Sequence, residues 1–531
     1  MKKIILSILI IAGVAFSCDD RLEDLNKPRK DATVPSGEAL FANGVRGMFD
    51  MMVSTNVNEN VFRLYAQYWA QTTYPDESQY NMVGRSIPDN FWTNAYRDVL
   101  KDLDEARKVI EETWEQTGMS EGVRDNQLSM INICKVYTYS VLVDAFGAVP
   151  FTEALNDEIL VPKYDNGQAV YDQLIVMLDE AIATLDEDEE GFSGTQDVVY
   201  GGDIEKWLKF ANSLKLKLAV TIADVNPTKA ASMVTEAEPN VFSSNADNAS
   251  ITYLATSPNT NPLWEDLVQS GRADYVIANT VVDKLVDLND PRLIVYAAGR
   301  NFNYPTNKAT GAKRDSTITS PAKLMLYYPD QDSIVNTTAP FTVLAKDSLL
   351  ALQLYKGGEY GTANTYSANS HVGDLFHEPS LEGVILDYAE VQFLLAEAAA
   401  RGIATEETVE TYYENGIVAS MEYWGVSESL IEDYLDRPDV DYATATGTWK
   451  QKIGIQEWLA LYNRGFEGWT TWRRLDFTGF NVPEDLTESD IPRRLIFPIE
   501  EATLNPSSWR AAIEMIGGSD DVQTKVFWDV N

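Results

Sequence analysis

The chain sets 81 acidic against 42 basic side chains over 531 residues, a formal charge of −39. With 45% hydrophobic and 23% charged residues, it is neither a wholly disordered chain nor a polytopic membrane protein. The acidic excess repels phosphate backbones and sets nucleic-acid binding aside. The length is ample for a large core, arranged as about three domains or as one large irregular unit.

At the N-terminus, Lys2 and Lys3 precede an apolar run from Ile4 to Phe16 that is interrupted by Ser7. That run is too short to span a bilayer and reads as an export signal. Ala15-Phe16-Ser17-Cys18 resembles a bacterial lipoprotein cleavage site, with alanine where leucine is usual, and Asp19-Asp20 follows at once. The expectation is removal of residues 1–17, lipid on Cys18, and a tether over residues 18–35. With Cys18 lipidated, only Cys134 remains, so the exported chain forms no internal disulfide. Cys134 sits in an apolar helical stretch and reads as a buried thiol.

From residue 36 onward the pattern is helical. Leu40, Val45, Met48 and Met52 form one apolar face. Trp92, Ala95, Tyr96, Val99, Leu103, Ala106 and Ile110 form a stricter one. Met130, Ile133, Cys134, Tyr137 and Val141 make a third, Tyr171, Leu174, Leu178, Ala181 and Leu185 a fourth, and Trp207, Ala211, Leu214 and Leu218 a fifth. The acidic run Asp186–Glu190 reads as a solvated loop. Residues 225–380 are rich in Asn, Thr, Ser, Pro and Gly; they read as irregular structure with small strands, such as Phe341–Leu344. Val384, Tyr388, Val391, Leu395 and Ala398 resume the helical pattern, and Val409, Tyr412, Gly416 and Met421 pair with them as a hairpin across Arg401-Gly402-Ile403. The fold class expected is mainly α, a tetratricopeptide-like scaffold of helical pairs over about 36–224 and 381–424. An irregular insert with minor β spans 225–380, and a C-terminal region spans 425–531.

Catalytic motifs are missing: the sequence holds no Gly-x-Ser-x-Gly elbow, phosphate loop, dinucleotide fingerprint or His-Glu-x-x-His. Two histidines, His371 and His377, are too few for a usual zinc site. Neither a catalytic residue nor a metal or cofactor is expected. What stands out is aromatic content in polar loops. Tyr74 and Tyr80 leave helical register among turn residues, and Asn261, Trp264, Arg272 and Tyr275 form a second cluster. Rings stack on the C–H faces of sugars while Asn, Arg and carboxylates bond hydroxyls, so these six are candidate ligand-binding residues. The plainer reading is that the rings cover the scaffold.

Five stretches, in order, resemble the SusD/RagB family of nutrient-binding outer-membrane lipoproteins. Tyr139 to Phe151 ends in an aromatic-Gly-x-Val-Pro-aromatic turn. Trp207 to Ala219 contains Ala-Asn-Ser-Leu. Asp387 to Ala398 carries Tyr-Ala-Glu and Ala-Glu-Ala. Glu467 to Arg474 matches a Glu-Gly-aromatic-Arg-Arg stretch, and Pro492 to Pro498 with Leu504-Asn505-Pro506 closes the set. The resemblance implies four tetratricopeptide-like pairs and a variable ligand face. It also implies a lipid-anchored protein of the cell outer membrane, facing outward, that passes oligosaccharide, polysaccharide or peptide to a SusC-like TonB-dependent transporter. Arg473, Arg474 and Asn212 are expected to satisfy buried backbone groups rather than touch ligand. A surface glycosidase and a protein-binding helical scaffold are the alternative functions.

Overall fold

The computed structural model describes residues 35–299 and 355–530, with the backbone of one hairpin between them. The export segment, Cys18, the tether up to residue 34 and Phe341–Leu344 lie outside the described residues.

Gly37–Val53 (α1) starts on Ser36, whose hydroxyl accepts from the Ala39 amide, and buries Phe41, Val45, Met48 and Met52. Ile87–Thr93 (α2) continues through a π-helical segment, Asn94–Leu100, into Lys101–Thr117 (α3). The strict apolar face Ala95, Val99, Leu103, Ala106 and Ile110 is buried along it. Then follow Glu121–Phe146 (α4), Gly167–Thr184 (α5), Ile204–Thr221 (α6) and Pro227–Ala237 (α7). Ser120, Asn166, Asp203 and Asn226 cap them by accepting backbone N–H groups, the role for which short polar side chains are favoured at helix starts. Asn279–Asp287 (α8) stands apart, and Tyr388–Ala400 (α9) and Val409–Tyr423 (α10) form the hairpin expected around Gly402. Glu428–Leu435 (α11), Trp449–Ala460 (α12), Gly465–Leu475 (α13) and Pro506–Met515 (α14) complete the C-terminal region.

Four pairs carry the scaffold: α1 with α3, α4 with α5, α6 with α7, and α9 with α10. Neighbouring pairs touch through α3 and α4, α5 and α6, and α6 and α9; α12 then packs on α9 and α13 on α12. The pair α6–α7 carries the helical scaffold beyond residue 224, to Ala237. Helix α4 departs from the one-faced reading. From Ser129 to Phe146 all but Asn132 are buried, because this helix lies at the centre with neighbours all around. Cys134 is buried there.

Among the described residues the strands form short antiparallel pairs instead of one sheet, and most of these pairs hold the insert. Trp69–Gln71 (β1) pairs with Tyr275–Ile277 (β5), and Ala148–Val149 (β2) pairs with Asp165–Asn166 (β3). Ala249–Ile251 (β4) pairs with Gly383–Leu386 (β10), and Ala297–Ala298 (β6) with His371–Val372 (β9). The intervening hairpin, Met325–Tyr328 (β7) against Ser333–Asn336 (β8), is likewise antiparallel.

Three of the sequence stretches converge at the end of α4. Gly147, at φ +87°, stops the helix and leaves carbonyls without intrahelical partners. Arg473 donates to the Asp144 carbonyl (2.7 Å), the Leu495 amide to that of Ala145 (2.8 Å) and Arg494 to that of Phe146 (3.1 Å). Asn212 donates to the Leu208 carbonyl at 2.8 Å. Arg474 differs from expectation: its partners are the buried carboxylates of Glu397 and Glu457, at 2.9 and 3.1 Å. The reason is burial between α9 and α12, where an acid from each helix faces it.

Candidate functional site

Beyond β1 the chain forms a loop over residues 72–86 that is fixed from beneath. Glu77 is buried and takes hydrogen bonds from the Gln71 amide and the Arg85 guanidinium. The Gln71 side-chain oxygen accepts from the Ser78 amide at 2.9 Å, and the Thr72 amide donates to the Asp274 carbonyl at 2.9 Å. Tyr74 stands out of this framework with 60% of its surface exposed. Tyr80 does not: it is buried at φ +65°, its ring 5.7 Å from that of Tyr65, and burial pushes its hydroxyl up to about 12. A residue that leaves helical register is not thereby exposed, because Tyr80 turns inward through its left-handed backbone.

The second cluster divides in the same way. Asn261 is fully buried; its side chain accepts from the Leu263 amide and donates to the Leu381 carbonyl, both within hydrogen-bond distance at 2.7 and 2.8 Å. Tyr275 is buried beside Trp69, at 5.3 Å between rings, and donates to the Thr55 carbonyl at 2.7 Å. Trp264 is half-buried at the end of the turn Pro262–Trp264, and Arg272 is exposed in an ion pair with Asp274 at 2.6 Å. The register Gln71 to Tyr275 brings the Tyr74 loop and the Arg272 segment to one edge.

Gln67, unremarked in sequence, holds that edge together. Its φ is +55° and it is fully buried. Its oxygen accepts from the Asn481 amide (2.9 Å) and the Thr280 hydroxyl (2.8 Å), while its nitrogen donates to the Asn481 carbonyl (2.7 Å). Asn364 donates to the Gln71 carbonyl (3.1 Å) and Gln79 to that of Gly361 (3.0 Å), so the 359–369 loop is anchored to the same edge. No local pattern marks a glutamine for the left-handed region. Thr280 and Asn481 lie more than 200 residues away in the chain.

Beside Pro262 lies a cleft of about 860 Å³. It is walled by α1, the π-helical segment after α2, and Pro262, Glu265 and Asp266. Arg46 and Arg97 face it but are paired with Asp50 (2.8 Å) and Asp98 (2.6 Å). Asp266 is pushed up to about 6, chiefly by burial, against the Thr55 amide hydrogen bond that favours its charge. Burial likewise raises Asp50 and Glu59, with Arg46 opposing at the first and Asn94 at the second. His371 and His377 lie elsewhere, on backbone carbonyls of Tyr366 and Gly373 at 3.1 Å each. Among the described residues no group of three or more His, Cys, Asp or Glu is placed to hold a metal ion. No described helix is long and apolar enough to cross a membrane.

Residues 28–354 and 351–498 match the SusD-like family model described as starch-binding and associating with the outer membrane. No curated protein matches the chain. Among solved structures it is similar to a chitin-binding protein at 26% identity and a TM-score of 0.72, over 94% of this chain and 100% of that one. A chitin-binding SusD homologue from Flavobacterium johnsoniae aligns at 23% identity and TM-score 0.69, over 92% and 99% of the two chains. A SusD homologue from Bacteroides vulgatus aligns at 20% and 0.70, over 93% and 97%. These last two likenesses show the fold. With its four helical pairs and a family match that runs through both the scaffold and the insert, the chain belongs to the SusD-like family of outer-membrane-associated proteins.

Proposed function

We propose that this protein captures a glycan on the loop edge that carries Tyr74 and delivers it, without catalysis, to a SusC-like TonB-dependent transporter. Lipid on Cys18 holds it at the outer membrane with that edge facing outward. The observation that carries the reading is Tyr74, an exposed ring on a loop braced by buried Glu77 and Gln71 and by half-buried Arg85. A flat apolar face held in advance of binding loses little entropy when a sugar stacks on it. Arg272, brought to the same edge by the pairing of β1 with β5, adds a group that bonds hydroxyls. Family membership supports glycan binding, and the chitin-binding relative makes chitin oligosaccharides the first ligands to try.

Calorimetric titration of residues 19–531 against chitin oligosaccharides, starch, other polysaccharides and oligopeptides tests the proposal, with product release assayed in the same mixtures. Saturable binding of a glycan with no product is the expected result. Released sugar would establish a glycosidase instead. Peptide binding alone would change the ligand class, and silence across the panel would refute capture by the isolated protein.

A further inference from the structure

None of the residues that line the cleft beside Pro262 belongs to the Tyr74 loop. What does line it are the two π-helical stretches of the described residues, Asn94–Leu100 and Glu265–Gln269, which come together there from distant parts of the chain. A π turn is rare and frequently marks a functional site. Two of them walling one cavity distinguish it from a gap left by loose packing. The volume, about 860 Å³, lies within the span of small-molecule sites.

The lining sets the chemistry of an occupant. Arg46 is tied to Asp50 and Arg97 to Asp98, which leaves Glu59, Asp102, Glu265 and Asp266 with no cation among the lining residues. Such an excess focuses a negative field inside the cleft and draws in positive charge. The carboxyls are spread along the walls: among the described residues no three are placed to hold a metal ion. The matching charge is therefore distributed over a larger ligand. Met51 and Pro262 are the apolar lining and no aromatic ring joins them, so recognition is by hydrogen bonds and charge. Asn56 spends its side-chain oxygen on Asn58, which leaves its amide nitrogen to donate, and each carboxyl has a second oxygen to accept from hydroxyl or ammonium groups.

We propose that this cleft is a second binding site, for an oligosaccharide of amino sugars whose free amines are protonated: ammonium groups pair with Glu59, Glu265 and Asp266, and hydroxyls bond Asn56 and the remaining carboxyl oxygens. The closeness of these acids shows in their titration. Besides burial, Glu59 and Glu265 add to the rise at Asp266, and Asp98 adds to the rise at Glu59. An ammonium between them relieves that mutual repulsion, which an N-acetylated sugar of the same shape does not. The site thus selects the deacylated form of a glycan, whereas the Tyr74 edge offers a ring face to either form.

Calorimetric titration of residues 19–531 with a glucosamine tetramer and with its fully N-acetylated counterpart tests this at about pH 6, where the amines carry protons. The expected result is saturable binding of the glucosamine tetramer that weakens about tenfold or more in Glu59→Gln/Asp266→Asn. The control Glu187→Gln/Asp188→Asn, which removes two charges from the exposed acidic loop, should leave it unchanged. No binding by the wild type overturns the proposal. So does an equal loss in the control, which would mean attraction to the acidic surface at large, or equally tight binding of the polyamine spermine, which would remove the sugar from the recognition. Loss of the glucosamine tetramer in Tyr74→Ala would place it on the Tyr74 edge and overturns the second site while leaving capture there intact; silence of the N-acetylated tetramer alone bears on the Tyr74 edge and supports selection by the cleft. Should the double variant not fold, Asp102→Asn/Glu265→Gln takes its place with the same expected loss.

Discussion

Arg473 lies flat against Trp469, its guanidinium carbon 3.5 Å from the ring centroid. The contact is internal to α13, one turn apart, yet it aims the guanidinium at the Asp144 and Arg493 carbonyls, at 2.7 and 2.9 Å. Trp469 in turn donates to the Pro492 carbonyl at 2.7 Å. One stacked pair thus joins α13 to the end of α4 and to the C-terminal segment. Arg473→Met should destabilise the protein by about 2–4 kcal/mol, because it strands buried carbonyls, and Arg473→Lys should recover only part of that. Denaturant midpoints of the two variants check this; a near-neutral Arg473→Met would show that water replaces the guanidinium.

Tyr74→Ala should weaken glycan binding about tenfold or more while moving the melting temperature by less than about 1 °C, as expected for an exposed hot-spot ring. Tyr80→Ala and Tyr275→Ala should instead cost about 2–4 kcal/mol of stability, since both rings are buried in the core. Titration and thermal melts on all three variants separate the roles.

Gly468 is required by a close approach: a Cβ there would stand 2.1 Å from the Tyr68 hydroxyl oxygen, a group that is itself bonded to the Trp458 carbonyl. Gly468→Ala should therefore destabilise by about 2 kcal/mol or more. Pairing it with Tyr68→Phe should return part of the loss, which a double-mutant cycle would measure.

In the acidic cleft, Asp266 sits at about 6. Its folded value is raised, so its contribution to stability is present below the ordinary carboxylate range and disappears as pH rises through about 6. Asp266→Asn should gain on the order of 1 kcal/mol over the wild type at about pH 8 and nothing at about pH 4, after allowance for partial solvent access. Thermal melts at the two pH values test it; an equal effect at both would contradict the assignment.

Cys134 is fully buried, and burial pushes its thiol well above the usual range. Thiol reagents should leave residues 19–531 unmodified under native conditions and label one site after denaturation. Rapid native labelling would mean that α4 opens far more readily than its burial implies.

Much of the architecture was legible along the chain. The periodic faces of α1, α3, α5, α6 and α9 and the Gly402 hairpin follow from local repetition, since a helix that buries one side must place apolar residues every three or four positions. The five family-like stretches were legible as motifs in order along the chain, although the contacts they make, such as that of Arg473 with the Asp144 carbonyl, are long-range. Tertiary structure alone decided which aromatic residues are presented. Tyr74 and Tyr80 stand six residues apart in the same kind of polar loop, yet one is exposed and the other buried. That difference is made by the left-handed turn at Tyr80 and by Glu77, Gln71 and Arg85 beneath. Asn261, Tyr275 and the Arg474–Glu397 ion pair were hidden for the same cause. Their partners lie scores to hundreds of residues away, and burial, which sets both exposure and charge state, is a property of the assembled neighbours and not of the local sequence.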